Sequence, residues 1–328
     1  MLILAKYKNL QMQNRSKTKV KITIIVPLYN EEGVVGCFHE QITAVLKSLV
    51  SIDWKLFYII DRCTDKTTDV VREIIRNSKR CQAVCLSSRF GHQASLMAGI
   101  ESSLDADAII MMDGDLQHPP NLIPKLIQGF REGMDVVYTV RKGTDRISMI
   151  RKMAGNVFYW LINKISDVSI NANASDYRLI SSRVARHLSD NFAERNLFLR
   201  GVFSWMGFNQ QKVEYVAAAR AGGNSKYSFS RIVKLATVAV VSFSTKPLKI
   251  GILIGATFSL LAFLFLLWII AYYFSGKSLP SGWATIVVLQ LLFSGIQLIC
   301  IGFLGIYIAG IHEEVKNRPR YLIQDVIK

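Results

Sequence analysis

Short apolar runs alternate with amphipathic stretches through the first third of the chain, and each run stops at a polar or turn-forming residue. Ile22–Val26 ends at Pro27, Trp54–Ile60 at Asp61, Cys81–Leu86 at Ser87 and Ala108–Met112 at Asp113. Continuous apolar runs of this length suit strands buried on both faces of a sheet. Between them, Glu32–Leu49, Thr67–Arg76, His92–Ser102 and Leu122–Arg131 carry the spacing of helices. Strands alternating with helices predict an α/β fold, with a mostly parallel mixed sheet covered by helices on both faces.

Polar residues gather where each strand ends: Tyr29-Asn30-Glu31, Asp61 to Asp65, Ser88-Arg89, and Asp113 to Gln117. In open α/β sheets ligands bind beyond the carboxyl ends of the strands, so four such clusters on one rim describe a binding edge. Asp113 and Asp115 stand out, because two carboxylates one residue apart offer hard oxygen ligands to a divalent cation. Asp-Gly is also a common turn dipeptide, and a turn is the plainer reading. A calcium loop of the helix-loop-helix kind needs Gly at its sixth position and Glu at its twelfth, where this chain has His118 and Pro124.

A mixed region follows from Asp135 to Lys249, and within it Ile232–Val241 is apolar yet far too short to span a bilayer. Flanked by Arg231, Lys234, Lys246 and Lys249, it reads either as an interfacial helix or as a packed core helix. Ile250–Phe274 and Trp283–Ala309 are different, since each exceeds the ~20 residues needed to cross a bilayer. Lysines and arginines crowd the outer flanks of this pair, at Lys246, Lys249, Lys316, Arg318 and Arg320, whereas the connector holds only Lys277. The positive-inside bias then predicts that both termini and the large domain are cytoplasmic.

The net charge of +16 admits nucleic acid as a partner. No basic recognition helix, zinc-ligand pattern or aromatic-basic platform accompanies it, so nucleic acid is not expected. Phosphate-rich substrates and an anionic leaflet account for the charge instead. The five cysteines form no paired metal-ligand pattern, which fits core residues in a reducing compartment. Met1–Ala5 is too short for a signal peptide, and the lysines and arginine that follow it read as a basic arm.

Taken in order, several motifs resemble the family 2 glycosyltransferases of the A-type, Rossmann-like nucleotide-sugar fold. They are Pro27-Leu-Tyr-Asn-Glu-Glu32, Ser88-Arg-Phe-Gly-His92, Asp113-Gly-Asp-Leu-Gln117, Ser175-Asp-Tyr-Arg-Leu179 and Glu194-Arg-Asn-Leu-Phe198. Arg220-Ala-Gly-Gly-Asn-Ser-Lys-Tyr227 and Glu314-Val-Lys-Asn-Arg-Pro-Arg-Tyr321 complete the set. Within that family the chain is most similar to polyprenyl-phosphate glycosyltransferases of the prophage bactoprenol type, and more distantly to dolichol-phosphate mannose synthases.

The resemblance implies a bacterial inner-membrane enzyme that moves a sugar, with UDP-glucose as the expected donor, to undecaprenyl phosphate for surface polysaccharide modification. It further implies Mg²⁺ or Mn²⁺ held by Asp113, Asp115 and Gln117, and a homo-oligomer. Pro27, Tyr29, Glu31, Asp61 and Arg89, with Asp113, would line the nucleotide-sugar pocket. Arg141, Arg151, Arg200, Arg220 and Lys226 would bind phosphate. Asp176, with Arg178 and Asp115, would form the catalytic set, Asp176 acting either as a base or as a positioning group. The expected organisation is a basic arm over 1–20, a cytoplasmic transferase domain over 21–227 and an interfacial region over 228–249. Spans at 250–274 and 283–309 and a basic cytoplasmic tail over 310–328 follow. Two departures stand out: Ile60-Asp61-Arg62-Cys63 replaces the family's two acids followed by Gly-Ser, and Leu304-Gly-Ile-Tyr307 lacks the usual acid after glycine. The first leaves open a nucleotide-sugar-binding scaffold with degraded catalysis, and the apolar surface leaves open another lipid acceptor such as diacylglycerol. The intact metal-side residues favour the transferase.

Overall fold

The computed structural model describes residues 19–142, 174–195, 197–216, 246–275 and 282–328. The Met1–Ala5 patch, the Ile232–Val241 run, and Arg151, Arg220 and Lys226 lie outside them.

The four expected strands form: β1 (Val20–Leu28), β2 (Ile52–Ile60), β3 (Cys81–Leu86) and β4 (Ala108–Met111). β1 pairs in parallel with β2 and β4, and β2 with β3. Helices α1 (Val35–Ser48), α2 (Thr67–Arg76), α3 (His92–Glu101) and α4 (Ile123–Arg131) make the connections. Beyond β4 come β5 (Val136–Lys142) and β6 (Ala174–Ser181), α5 (Ser182–Asn191) and α6 (Leu199–Trp205), and β7 (Gln210–Val216). β6 runs antiparallel to both β4 and β5. With β8 (Ile323–Ile327) the sheet has the order β7-β5-β6-β4-β1-β2-β3-β8.

Alternate side chains of β1 leave the sheet on opposite sides. Ile22, Ile24, Val26 and Leu28 join one core with Phe38 of α1, Val71 of α2 and Phe130 of α4. Ile25 joins a second core with Met97 of α3, Leu188 of α5 and Phe203 of α6. This is the three-layer arrangement expected of strands apolar on both faces.

Pro27 does not end β1, contrary to the sequence reading, because the strand continues to Leu28. The reason lies in which neighbour each residue faces. The Ile25 carbonyl accepts from Met112 N on the β4 side, and the Leu28 carbonyl accepts from Asp61 N on the β2 side. Pro27 shares the parity of Ile25, and its missing N–H points where β4 has already ended, so no ladder bond is lost.

Two long helices follow, α7 (Lys246–Phe274, 29 residues) and α8 (Trp283–Val315, 33 residues). At 1.5 Å per residue each exceeds the ~30 Å hydrocarbon thickness. Phe258 and Phe293 meet edge to face between them, 5.4 Å apart. Leu253, Phe263, Trp268, Ile299 and Ile308 are exposed, as expected of helices that face lipid. α8 runs past the expected boundary at residue 309, and the segment after it is more than a basic tail. It turns back to lay β8 antiparallel along β3, capping an edge of the sheet.

Candidate active site

The site occupies the rim where β1 to β4 end, joined by the beginning of the antiparallel β6. β4 and β6 pair Met111 with Arg178, so two steps further the register sets Asp113 opposite Asp176. His92, the first residue of α3, stands between these carboxylates, with Nε2 3.7 Å from Asp113 Oδ1 and 3.5 Å from Asp176 Oδ2. Burial opposes a charge on its ring, but Asp113 and Asp176 outweigh it and raise its pKa to about 9.

Asp113 to Gln117 form a tight loop in which Leu116 adopts a positive φ of 62°. A Cβ at Gly114 would meet Leu28 Cδ2 at 2.6 Å and force that buried side chain to shift. Gln117 donates to Asp115 through both its backbone N (3.1 Å) and its Nε2 (2.7 Å), and Arg141 donates to Gln117 Oε1 at 3.2 Å. Beneath the loop, buried His118 accepts from Asp113 N through Nδ1 at 3.0 Å. Its Nε2 therefore carries the proton and donates to Ser175 Oγ at 2.8 Å.

Asp113, Asp115 and Gln117 supply hard oxygen atoms, the donor type that Mg²⁺ and Mn²⁺ prefer. Among the described residues no group of three His, Cys, Asp or Glu side chains forms a ready metal cage. These oxygens would hold such a cation from one side, leaving room for water and substrate phosphate, the ligands Mg²⁺ usually keeps.

Asp176 is 8 % exposed and takes a two-pronged contact from Arg200, Nε to Oδ1 and Nη2 to Oδ2, each 2.8 Å. Burial would raise the carboxyl, yet the Arg200 guanidinium and His92 hold it well below the usual carboxylate range. Arg178, expected in the catalytic set with Asp176, is a buried neighbour of that carboxylate. Only 3 % exposed, it stacks on Phe203 at 4.5 Å, donates to the Ser175 carbonyl at 2.8 Å and sits 3.9 Å from Asp176. The nearer cation is Arg200, expected as a phosphate binder.

On the side expected to take the nucleotide, Arg89 lies over the Tyr29 ring at 4.0 Å, bringing those two residues together. Asp61 is buried, and its oxygens accept from Phe90 N at 2.7 Å and Gly91 N at 2.9 Å. It thereby fixes the loop that opens α3, whose Gly91 has φ 94°. The Glu31 backbone N donates to Thr67 Oγ1 at 2.9 Å, tying the β1 and β2 loops together, and Pro27 sits half-buried just below the rim. Arg62, which takes the place of the family's glycine, has φ 33° and donates to the Ser87 carbonyl at 2.6 Å. A left-handed position favours glycine, so this departure leaves backbone strain beside the pocket.

His92 and His118 were absent from the expected site. His92 had a signal, since it opens a helix directly after a strand-end polar cluster. His118 had none, because its contact to Ser175 joins residues 57 apart in sequence.

Residues 23–189 match the model of the family described as glycosyl transferase family 2. An uncharacterised glycosyltransferase of Bacillus subtilis, YkcC, is 34% identical over 93% of this chain and 94% of its own length. The SfII prophage-derived bactoprenol glucosyl transferase of Shigella flexneri is 33% identical over 93% and 98% respectively. Among solved structures, the mannosyltransferase PcManGT of Pyrobaculum calidifontis, in complex with GDP-Man and Mn²⁺, aligns with 95% of this chain and 94% of its own. That alignment has a TM-score of 0.49 and 14% identity. The family match and the two full-length relatives establish that this chain belongs to glycosyl transferase family 2.

Proposed function

We propose that the enzyme transfers one sugar, glucose from UDP-glucose, to the phosphate of undecaprenyl phosphate on the cytoplasmic face of a bacterial inner membrane. The observation that carries this reading is the meeting of the Asp113–Gln117 loop with the Asp176–Arg200 pair across His92, in a domain followed by two bilayer-length helices. The name of the Shigella relative supplies the lipid and the sugar.

An acceptor phosphate oxygen attacks the anomeric carbon; the new C–O bond forms as the bond to the nucleotide diphosphate breaks, and the configuration inverts. Asp113, Asp115 and Gln117 would hold the cation. When bound, it neutralises charge that builds on the departing diphosphate. Arg141, which donates to Gln117 at the metal-side loop, and Arg200 are the guanidinium groups here suited to phosphate oxygens. A phosphate monoester has its second pKa at about 6, so the acceptor needs little help losing a proton. Asp176, held ionised by Arg200, then works as a positioning group: it fixes the guanidinium that receives the acceptor phosphate.

The test is product analysis with the purified full-length chain in detergent, offering UDP-glucose, other nucleotide sugars, undecaprenyl phosphate and diacylglycerol. A glucosyl lipid formed only with the polyprenyl phosphate is the expected product. Glucosyl diacylglycerol would instead support the other lipid acceptor. Tight nucleotide-sugar binding without any transfer would support the scaffold reading that Ile60 and Arg62 suggest.

A further inference from the structure

Two of the motifs noted in the sequence, Glu194–Phe198 and Glu314–Tyr321, carry none of the chemistry above, yet they touch one another. Glu314, in the last turn of α8, accepts from the Arg195 backbone N through both carboxylate oxygens, at 3.0 and 3.2 Å. Neighbouring Glu313 pairs with the Arg195 guanidinium at 3.2 Å. Glu194 lies close enough to feel both segments, for burial and Glu314 raise its carboxyl while Arg320 lowers it. Five residues after Arg195 comes Arg200, the group that grips Asp176.

The same C-terminal segment also holds α3. Arg320 bonds Glu101 at 2.8 Å and Tyr321 donates to the same carboxylate. Glu101 ends the helix that begins with His92, the ring between Asp113 and Asp176. Gln93, one residue on, accepts from Leu199 N at 3.3 Å, which ties the start of α3 to the start of α6. Leu197 and Leu199 are buried, so a displacement at Arg195 passes to Arg200 rather than being absorbed by a loose loop.

We infer that the last turn of α8 and the segment after it form a built-in latch, in which Glu314 is a positioning residue for Arg200 and Asp176. The acceptor side of the site is then in register only while the end of α8 is seated on the catalytic domain. This inference rests on the proposed transfer reaction for its kinetic arm, but not for its structural arm.

The experiment is a double-mutant cycle on the full-length enzyme, pairing Glu314→Ala with Arg200→Lys. A misplacement of about 1 Å can cost on the order of a hundredfold, so Glu314→Ala should lower kcat at least about tenfold. The KM for the nucleotide sugar should stay within about twofold, because Glu314 holds the Arg195 backbone on the α6 side of the site and not the β1 to β3 loops. Glu314→Gln, which keeps one accepting oxygen, should recover much of the loss. In the Arg200→Lys background Glu314→Ala should add almost nothing, since Glu314 acts through the placement of the Arg200–Asp176 contact. Equal losses in the two backgrounds, or an undiminished kcat, would overturn the latch. Should Glu314→Ala not fold, Glu314→Asp carries the same cycle with a smaller expected loss. Hydrogen exchange gives the arm that needs no turnover: amides of α6 should exchange faster in Glu314→Ala while those of β1 and β2 do not change. A wild type that transfers no sugar would sink the functional reading alone, and unchanged α6 exchange would sink the latch alone.

Discussion

Asp176 shows how a side chain's neighbours decide its role. A general base must release its own pairing to accept a proton, and this carboxylate is engaged by both nitrogens of Arg200. Asp176→Asn should therefore lose activity by a factor that stays flat between about pH 7 and 8, where the phosphate of the proposed acceptor is mostly ionised. Rates measured at saturating substrates across that range check it, and recovery with rising pH in the variant alone would contradict it. The sign for stability follows from the depressed pKa. The stabilisation is full above about pH 4 and is lost as pH falls through the folded-state value, so Asp176→Asn should show a weaker acid dependence below about pH 4. Arg62 allows a second comparison. Arg62→Ala and Arg62→Gly both lose the bond to Ser87, but only glycine relieves the φ of 33°. The glycine variant should be more stable than the alanine variant by about 1 kcal/mol in denaturant titration. At this scale the sequence was informative about residues inside motifs, such as Asp113 and Asp115. It was blind to partnerships such as Asp176 with Arg200, which arise only when α6 folds against β6.

Among the elements, the parallel strands were readable because burial on both faces makes them continuous apolar runs with polar ends. Ile323–Ile327 was not, since β8 is short, exposed along most of its length and follows a basic stretch. Its pairing with β3 depends on the chain returning from α8, which no local pattern encodes. Antiparallel β6 was likewise seen only as a motif, and its register against β4 is what sets Asp176 opposite Asp113. Removing residues 323–328 would leave β3 as an open edge and loosen the hold on Glu101. Such a truncation should aggregate more readily in detergent than the full chain, as measured by light scattering at matched concentration. An equally monodisperse truncated protein would show that β8 is dispensable for protecting the edge.

For the molecule as a whole, the return of β8 into the sheet constrains topology as strongly as the flanking charges do. β8 belongs to the same sheet as β1 to β7, so any membrane crossings made by the chain between β7 and β8 must be even in number. A cysteine placed at Ser278 should react with an impermeant thiol reagent in intact cells, whereas one placed at Asn317 should not. The reverse pattern would put the catalytic domain on the outer face, away from its nucleotide donor.

The activity proposed for this rim is metal-assisted transfer from a nucleotide sugar to a polyprenyl phosphate. Its most direct measurement follows labelled glucose from UDP-glucose into undecaprenyl phosphate, with wild type and Asp115→Ala, each with Mn²⁺ supplied or chelated. Wild type with Mn²⁺ should give a labelled lipid, and chelation or Asp115→Ala should lower its yield at least about a hundredfold. Undiminished transfer by Asp115→Ala in the presence of chelator would contradict the proposed activity.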